Sequence, residues 1–531
     1  MTEIKNPILR GFNPDPSILR VGGDYYIATS TFEWFPGVMI YHSTDLCNWE
    51  LIAKPLARQS QLDMTGNPNS GGIWAPCLTY DKGTFYLIYT DVKVKSGIFK
   101  DTHNFLVTAT DIRGEWSEPV YLNSSGFDPS LFHDSDGKKY IVNMMWDFRP
   151  WKNPFAGILL QEYSPEKKQL VGPINNIFKG TELGLVEGPH IYRHGDYYYL
   201  MTAEGGTVWK HAVTVARSKA IDGPYEVDPQ NPIVTSYDAP NIRLQKAGHA
   251  SITDTPDGAW YLVHLCGRPL ARRGRCVLGR ETAIQKVHWT ADGWLRLESG
   301  GHSPLDVTQS VLPCENKPRR VSKEDDFDSD RLDIHFQTLR VPLGEDTLSL
   351  TERPGYLTLK GRESFSSQHV QSLVARRQQA FCYTASTLLE FEPETFQQMA
   401  GLVCWYDTDN FYYLHISHDD DLGRVLNILA CDNGDFHYPL AAPVGIKNGP
   451  ITLKVDAAYD QLWFSFSEDQ KTWQEIGGVM DASILSDDYP ETRNQGKFTG
   501  AFVGMCCQDL SGRRKPAYFD RFEYTEKSED D

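Results

Sequence analysis

Three short segments of this 531-residue chain place a carboxylic acid beside a proline or glycine, just ahead of a strand-like run. They are Asp15-Pro16-Ser17, Asp128-Pro129-Ser130 and Glu187-Gly188-Pro189-His190. Carboxyl groups take and give protons, and a set of them in one pocket can do acid–base work. A single Asp-Pro-Ser is ordinary turn chemistry, because Asp and Ser often start turns. Three acids recurring at one place in a repeated pattern favour a shared site over three unrelated turns.

The pattern that would gather them is a repeat. A Tyr-rich strand recurs five times, as Asp24-Tyr25-Tyr26-Ile27, Thr84-Phe85-Tyr86-Leu87, Lys139-Tyr140-Ile141-Val142, Tyr197-Tyr198-Tyr199-Leu200 and Ala259-Trp260-Tyr261-Leu262. A glycine stands shortly before each one: Gly23, Gly83, Gly137, Gly195 and Gly258. Such runs read as hairpins with tight turns. Ahead of the second and fifth markers, where the acids stand in the other repeats, lie Ala75-Pro76-Cys77 and His249-Ala250-Ser251. Five units of this size predict a five-bladed β-propeller over residues 1–310. The first strand of each blade then lines the axis. Asp15, Asp128, Glu187 and His249, taken as equivalent positions, face one another across it.

A linker follows at 311–322, and strand-like alternation resumes over 323–531. Runs such as Tyr356-Leu357-Thr358-Leu359-Lys360 and Leu462-Trp463-Phe464-Ser465-Phe466 carry it, and no long amphipathic helix is evident. The expected fold is all-β, a propeller plus a lectin-like β-sandwich. Asp325, Asp326 and the late Asp520 have two readings: ligands of a structural calcium ion, or a solvated acidic turn.

Composition narrows the partners. The net charge is −18, and the basic runs are as short as Arg272-Arg273 and Arg319-Arg320. A phosphate-binding surface needs clustered Lys and Arg, so nucleic acid is not expected. No apolar run is long enough to span a membrane. The start carries no basic-then-apolar leader pattern, and the ten cysteines show no Cys-x-x-Cys spacing. Reduced thiols in a cytoplasmic protein are the expectation. Aromatic residues reach 12%, with 26 Tyr and 13 Trp; they suit sheet cores and also the flat C–H faces of sugars.

The segments Gly11-Phe12-Asn13-Pro14-Asp15-Pro16-Ser17, Gly126-Phe127-Asp128-Pro129-Ser130 and Val186-Glu187-Gly188-Pro189-His190 resemble the three acidic motifs of family 43 glycoside hydrolases. The similarity is strongest to that family's β-xylosidases, many also active as α-L-arabinofuranosidases. It extends through Gly71-Gly72-Ile73-Trp74-Ala75-Pro76, Ala203-Glu204-Gly205-Gly206-Thr207 and Leu278-Gly279-Arg280-Glu281-Thr282 to Phe498-Thr499-Gly500 near the C-terminus. The resemblance implies an inverting exo-hydrolase of short β-1,4-xylo-oligosaccharides that needs no cofactor for catalysis. It implies Asp15 as general base, Glu187 as general acid and Asp128 as the third carboxylate, raising the acid's pKa. Phe32, Trp74 and Trp146 resemble pocket walls, though each also reads as a core aromatic. Arg280 resembles a sugar-hydroxyl contact, and Thr207 is a further candidate for substrate binding. His249 is either a holder of water or an ion on the axis or a core histidine. Phe498 is implied as a wall contributed by the second domain, or packs within its own domain. The expected assembly is a homo-oligomer, a dimer or tetramer. Two rival readings stand: a fructan- or sucrose-cleaving five-bladed hydrolase, and a lectin-like propeller without catalysis. The former resembles Asn-Asp-Pro-Asn at its start, where this chain has Asn13-Pro14-Asp15-Pro16.

Overall fold

The computed structural model describes residues 2–315, 317–489 and 496–528. Among them the only helix is a single 3-10 turn, Ala482–Ile484, and everything else regular is strand. The chain divides into two compact units.

The first unit holds five blade sheets, each antiparallel and built in chain order from the axis outward, and one further two-stranded ladder. Their inner strands are Ser17–Val21, Gly72–Asp81, Ser130–His133, Glu187–His194 and Gln245–Asp254. The Tyr-rich runs form the second strands: Asp24–Thr29, Thr84–Val94, Lys139–Trp146, Tyr197–Glu204 and Trp260–Gly267. Period-two alternation puts residues such as Ile27, Leu87, Ile141, Leu200 and Leu262 into the apolar layers between blades. Polar atoms join the blades near the axis. Leu78 N–H donates to Ser17 Oγ, Ser130 Oγ donates to Pro189 O, and Ile18 N–H donates to Ser251 Oγ. The last of these joins the fifth blade to the first, and a bidentate Arg20–Asp254 pair repeats that join further out.

The N-terminal segment also spans the closure. Thr2–Lys5 pairs with Val307–Ser310, and Leu9 bridges Thr282. Cys47 and Cys314 form a disulfide, which departs from the expectation of reduced thiols throughout. The two lie 267 residues apart, so spacing alone could not pair them. The other eight cysteines lie outside this disulfide and are buried.

The second unit is a sandwich of two antiparallel sheets. One is built on Pro516–Glu526, Cys382–Glu390, Ile451–Ala458 and Gln461–Ser467, the other on Phe502–Asp509, Gln398–Asp407, Asn410–Asp419 and Gly423–Asp432. A single core takes Leu389, Val455, Phe464 and Tyr524 from the first and Leu402, Leu414, Ile428 and Met505 from the second. A boundary drawn along the sequence leaves out two segments of this unit, Trp34–Pro36 and Gly274–Gly279. Trp34–Phe35 pairs with Thr338–Leu339, and the Trp34 ring stacks on Phe502 at 3.7 Å.

The expected calcium trio does not assemble. Asp325 Oδ1 accepts from Phe327 N–H and Asp326 Oδ1 from Asp328 N–H, which is turn geometry. Asp325 and Asp326 line a cavity of about 330 Å³ with Asp333, Arg331 and Arg376, and Asp520 is not in its lining. Among the described residues, the one set of three metal-type side chains with ligand atoms within 4.8 Å is Asp45, Cys47 and Cys314.

Candidate active site

The site forms where the inner strands of the first unit begin. Asp15, Ala75, Asp128, Gly188 and His249 all have left-handed backbone, with φ of 55°, 32°, 55°, 56° and 44°. These are the true structural equivalents. Each turns the chain into its inner strand, and the ladder is bulged there in the second, fourth and fifth blades. Glu187 therefore stands one residue before the position held by Asp15 and Asp128, which corrects the alignment of three acids in register. The reason is steric. A Cβ on Gly188 would lie 3.0 Å from Cε1 of His249, so a side chain at the equivalent place would press on that ring. The fourth blade's acid is displaced onto the neighbouring residue.

Asp15 is buried and held by its neighbours. Ser30 Oγ donates to its Oδ2 at 2.7 Å, and Ser30 Oγ itself accepts from Ala75 N–H at 2.8 Å. On the other side Arg280 Nη1 lies 3.4 Å from Oδ1, and His249 Nδ1 lies 3.8 Å from the same oxygen. Arg280 also donates to Thr207 Oγ1 at 3.1 Å. Its place is set by a strap: Asn13 N–H donates to Arg280 O, and Thr282 Oγ1 donates to Asn13 O. Beneath it the buried Arg268–Glu281 pair accepts Gly11 N–H on Glu281 Oε1. Four residues far apart in sequence thus fix one carboxylate and one guanidinium side by side.

The other two acids are held differently. Asp128 is buried and accepts Gly188 N–H at 3.1 Å. Burial and the charge of Asp15 push its pKa up, against the opposing pull of Gly188 N–H and Arg280. Glu187 is partly open to solvent. Its carboxyl is pushed well above the ordinary range, first by burial, then by Asp128 and Asp15, while Arg280 and Lys100 act against the rise. The like-charge effect expected of Asp128 is present, but burial leads. A set with a protonated Glu187 and an arginine-flanked Asp15 can deliver a proton and receive one in the same event. Burial keeps His249 neutral, and pushes His190 and His211 down to about 3.

Aromatic rings form one side of the site. Phe32 lies 5.6 Å from Phe12 and 6.1 Å from Trp74 between centroids, and the Arg280 guanidinium sits over its face at 5.3 Å. Phe127 continues the band, edge-on to Trp74 at 5.3 Å and 6.4 Å from Trp146. Trp74 Nε1 donates to Ser70 O, and Trp146 Nε1 donates to Ile98 O. Phe32 and Trp74 are buried, while Trp146 is half-exposed. The first unit thus gathers Asp15, Asp128, Glu187, Phe32, Trp74, Trp146, Thr207, His249 and Arg280. Phe498 belongs to the second unit, where its ring closes over Gly496 and its neighbour Lys497 pairs with Asp407. Ser30, Phe12, Phe127, Lys100 and the Arg268–Glu281 pair were not singled out by sequence. Phe12 and Phe127 lie inside the acidic motifs and could have been found there.

Comparison with known proteins gives a consistent picture. Residues 4–295 match the family described as Glycosyl hydrolases family 43, and residues 324–525 match the Beta xylosidase C-terminal Concanavalin A-like domain. A protein of Bacillus subtilis (strain 168) named Beta-xylosidase is 52% identical over 99% of this chain and 100% of its own length. Xylosidase/arabinosidase 43B of Humicola insolens is also 52% identical, over 99% of this chain and 98% of its own. The crystal structure of a xylan beta-1,4-xylosidase from Bacillus halodurans C-125 superposes with a TM-score of 0.95 at 55% identity, covering 98% of this chain and 100% of that one.

Proposed function

This chain belongs to glycosyl hydrolase family 43, and from that premise we propose an exo-acting, inverting hydrolase of short β-1,4-xylo-oligosaccharides, with side activity on α-L-arabinofuranosides. The chain is a glycoside hydrolase. The finer reading is carried by one observation: two carboxyl groups in different surroundings share the site. Burial, Asp128 and Asp15 push the Glu187 carboxyl well above the ordinary range, and Asp15 is fixed between a serine hydroxyl and a guanidinium.

In this reading a terminal xylose rests against Phe32, Trp74 and the Arg280–Thr207 pair. Asp15 takes a proton from water as that water attacks the anomeric carbon. Glu187 gives its proton to the glycosidic oxygen, and the bond to the leaving sugar breaks. Attack from the face opposite the departing oxygen inverts the anomeric centre. Asp128 contacts no reacting atom; it keeps the proton on Glu187 and, through Gly188 N–H, fixes the backbone beside it. No cofactor enters this scheme.

Product analysis by NMR on xylobiose tests it. α-Xylose appearing first, before mutarotation, supports inversion; β-xylose appearing first overturns it. The lectin-like alternative requires that no xylose appears at all. No helix among the described residues is long and apolar enough to cross a membrane. We also propose a cytoplasmic location and a homo-oligomer, dimer or tetramer, which cell fractionation and light scattering would test. The eight buried cysteines outside the disulfide fit a reducing compartment, and the Cys47–Cys314 bond is the exception.

A further inference from the structure

Two loops at the carboxylate end of the first unit leave three large aromatic side chains at least half exposed. The loop at 95–100 follows the second strand of the second blade, and the loop at 147–154 follows that of the third. Both are fixed to the site's end by register. Val92 lies opposite Gly72, close to Trp74, and Trp146 N–H donates to Ser125 O, just ahead of Asp128. The loops are pinned together. Trp146 Nε1 donates to Ile98 O at 2.9 Å, and the Phe99 and Phe148 rings meet at 5.0 Å. Lys100 Nζ sits 4.5 Å above the Trp146 ring. Yet Phe99 is 58% exposed, Phe148 50% and Trp151 74%, the last being the most exposed large hydrophobic residue described.

We propose that Phe99, Phe148 and Trp151 form an acceptor platform, which binds the sugar units of xylo-oligosaccharides beyond the first leaving residue. The proposal rests on the hydrolase reading above and extends it to substrate length. Three observations favour a sugar chain as the occupant. The Phe99–Phe148 pair adjoins Trp146 through Ile98, whose carbonyl accepts from Trp146 Nε1, and Trp151 stands on the same loop as Phe148. Lys100, which covers Trp146, is also among the charges that act on Glu187, so this wall lies on the acid's side. The leaving sugars depart on that side, because Glu187 protonates their oxygen. Finally, the patch is built of flat rings held by neighbouring loops, which suits stacking on pyranose faces and leaves the sugar hydroxyls in water.

The test is steady-state kinetics of Trp151→Ala and Phe148→Ala on 4-nitrophenyl β-xyloside, xylobiose and xylotetraose. The aryl xyloside has one sugar and cannot reach the platform. The ratio of KM for xylotetraose to KM for the aryl xyloside should rise about fivefold, the size of one aromatic stacking contact, with kcat on xylotetraose nearly unchanged. Trp151→Phe should restore most of the ratio. An unchanged ratio overturns the platform. So does a parallel rise on both substrates, which would make Trp151 a support for the pocket. A change in molar mass by light scattering with the ratio unchanged also overturns it, and identifies the patch as a contact between copies of this chain. A wild-type protein that cleaves neither substrate defeats the hydrolase reading instead.

Discussion

At the scale of residues, Glu187 is the side chain on which function and stability pull apart. Its carboxyl keeps a proton at a pH where an ordinary glutamate has lost it, because burial and two other acids push its pKa up. Below the ordinary glutamate pKa both folded and unfolded chains are protonated, and the site stands at full stability. Above it the unfolded chain releases the proton and the folded chain does not, so stability falls by about 1.4 kcal/mol per pH unit until the raised folded pKa is reached. Glu187→Gln cannot ionise and escapes that loss. We therefore expect Glu187→Gln to melt at a higher temperature than the parent at pH 8 and to differ little at pH 4, measured by calorimetry at both values. The catalytic effects should separate by leaving group. Glu187→Ala should lose about a hundredfold to ten-thousandfold on xylobiose and much less on an activated aryl xyloside, which leaves without a proton. Asp15→Ala should lose activity on both, since each needs an activated water. Equal losses of Glu187→Ala on the two substrates would reverse these assignments.

At the scale of elements, one backbone feature decides where the acids go. The left-handed residue two positions ahead of Ser17, Cys77, Ser130, His190 and Ser251 is Asp, Ala, Asp, Gly and His around the ring, and the glycine is the one pressed against the His249 ring. Gly188→Ala would place a methyl group in that ring and also hold an L-residue at φ +56°, a conformation that costs about 1–2 kcal/mol. It should lower the melting temperature by several degrees and reduce kcat, because the next residue back is Glu187. Gly258→Ala supplies the comparison: φ there is +86° with nothing within 4 Å of the added Cβ, so stability should fall and kcat should hold. A kcat loss of equal size in both variants would detach the Gly188 effect from Glu187. This feature also marks how far the sequence could be read. The strands, their five-fold repeat and the motif segments are local patterns, set by alternation and by turns, and they emerged as expected. The register of Glu187 did not, because Glu187-Gly188-Pro189 can be laid on Asp15-Pro16 in two ways and only the His249 ring chooses between them. Ser30, Lys100 and the Arg268–Glu281 pair act through contacts between separate blades and loops, to which spacing is blind.

At the scale of the whole molecule, the question is what keeps a ring of five similar sheets closed. Each sheet of the first unit is complete within its own repeat, so no strand is exchanged between the first and last blades. Closure falls to smaller devices: the Thr2–Lys5 ladder on Val307–Ser310, the Arg20–Asp254 pair, the Ile18–Ser251 hydrogen bond and the Cys47–Cys314 bond. The disulfide is the only covalent one among them. It ties the turn after Met39–Ser43 in the first blade to the segment that follows the last strand of this unit, and Asn48 Nδ2 donates to Glu315 O beside it. Asp45 is occupied in the same turn. Its carboxylate accepts from Ser43 Oγ, Cys47 N–H, Asn48 N–H and Asn48 Nδ2, and these hydrogen bonds hold its pKa low. It is a turn-forming acid rather than a metal ligand, so the two cysteines act as a covalent link. Closing a loop of 267 residues restricts the unfolded chain strongly, and chain entropy sets the stabilisation at no more than about 6 kcal/mol. The native contacts around it persist without the bond, so the expected loss on reduction is smaller, about 1–3 kcal/mol, or several degrees in the melting temperature of a unit this size. Dithiothreitol should therefore lower the first unfolding transition of the parent and leave that of Cys314→Ser where the mutation has already put it. Cys47→Ser should match Cys314→Ser, and the double variant should fall no further, because both mutations remove the same bond. Activity on the aryl xyloside at moderate temperature should persist in all three, since neither cysteine belongs to the carboxylate site. An additive fall in the double variant, or a parent indifferent to reductant, would show that the bond does not hold the ring closed.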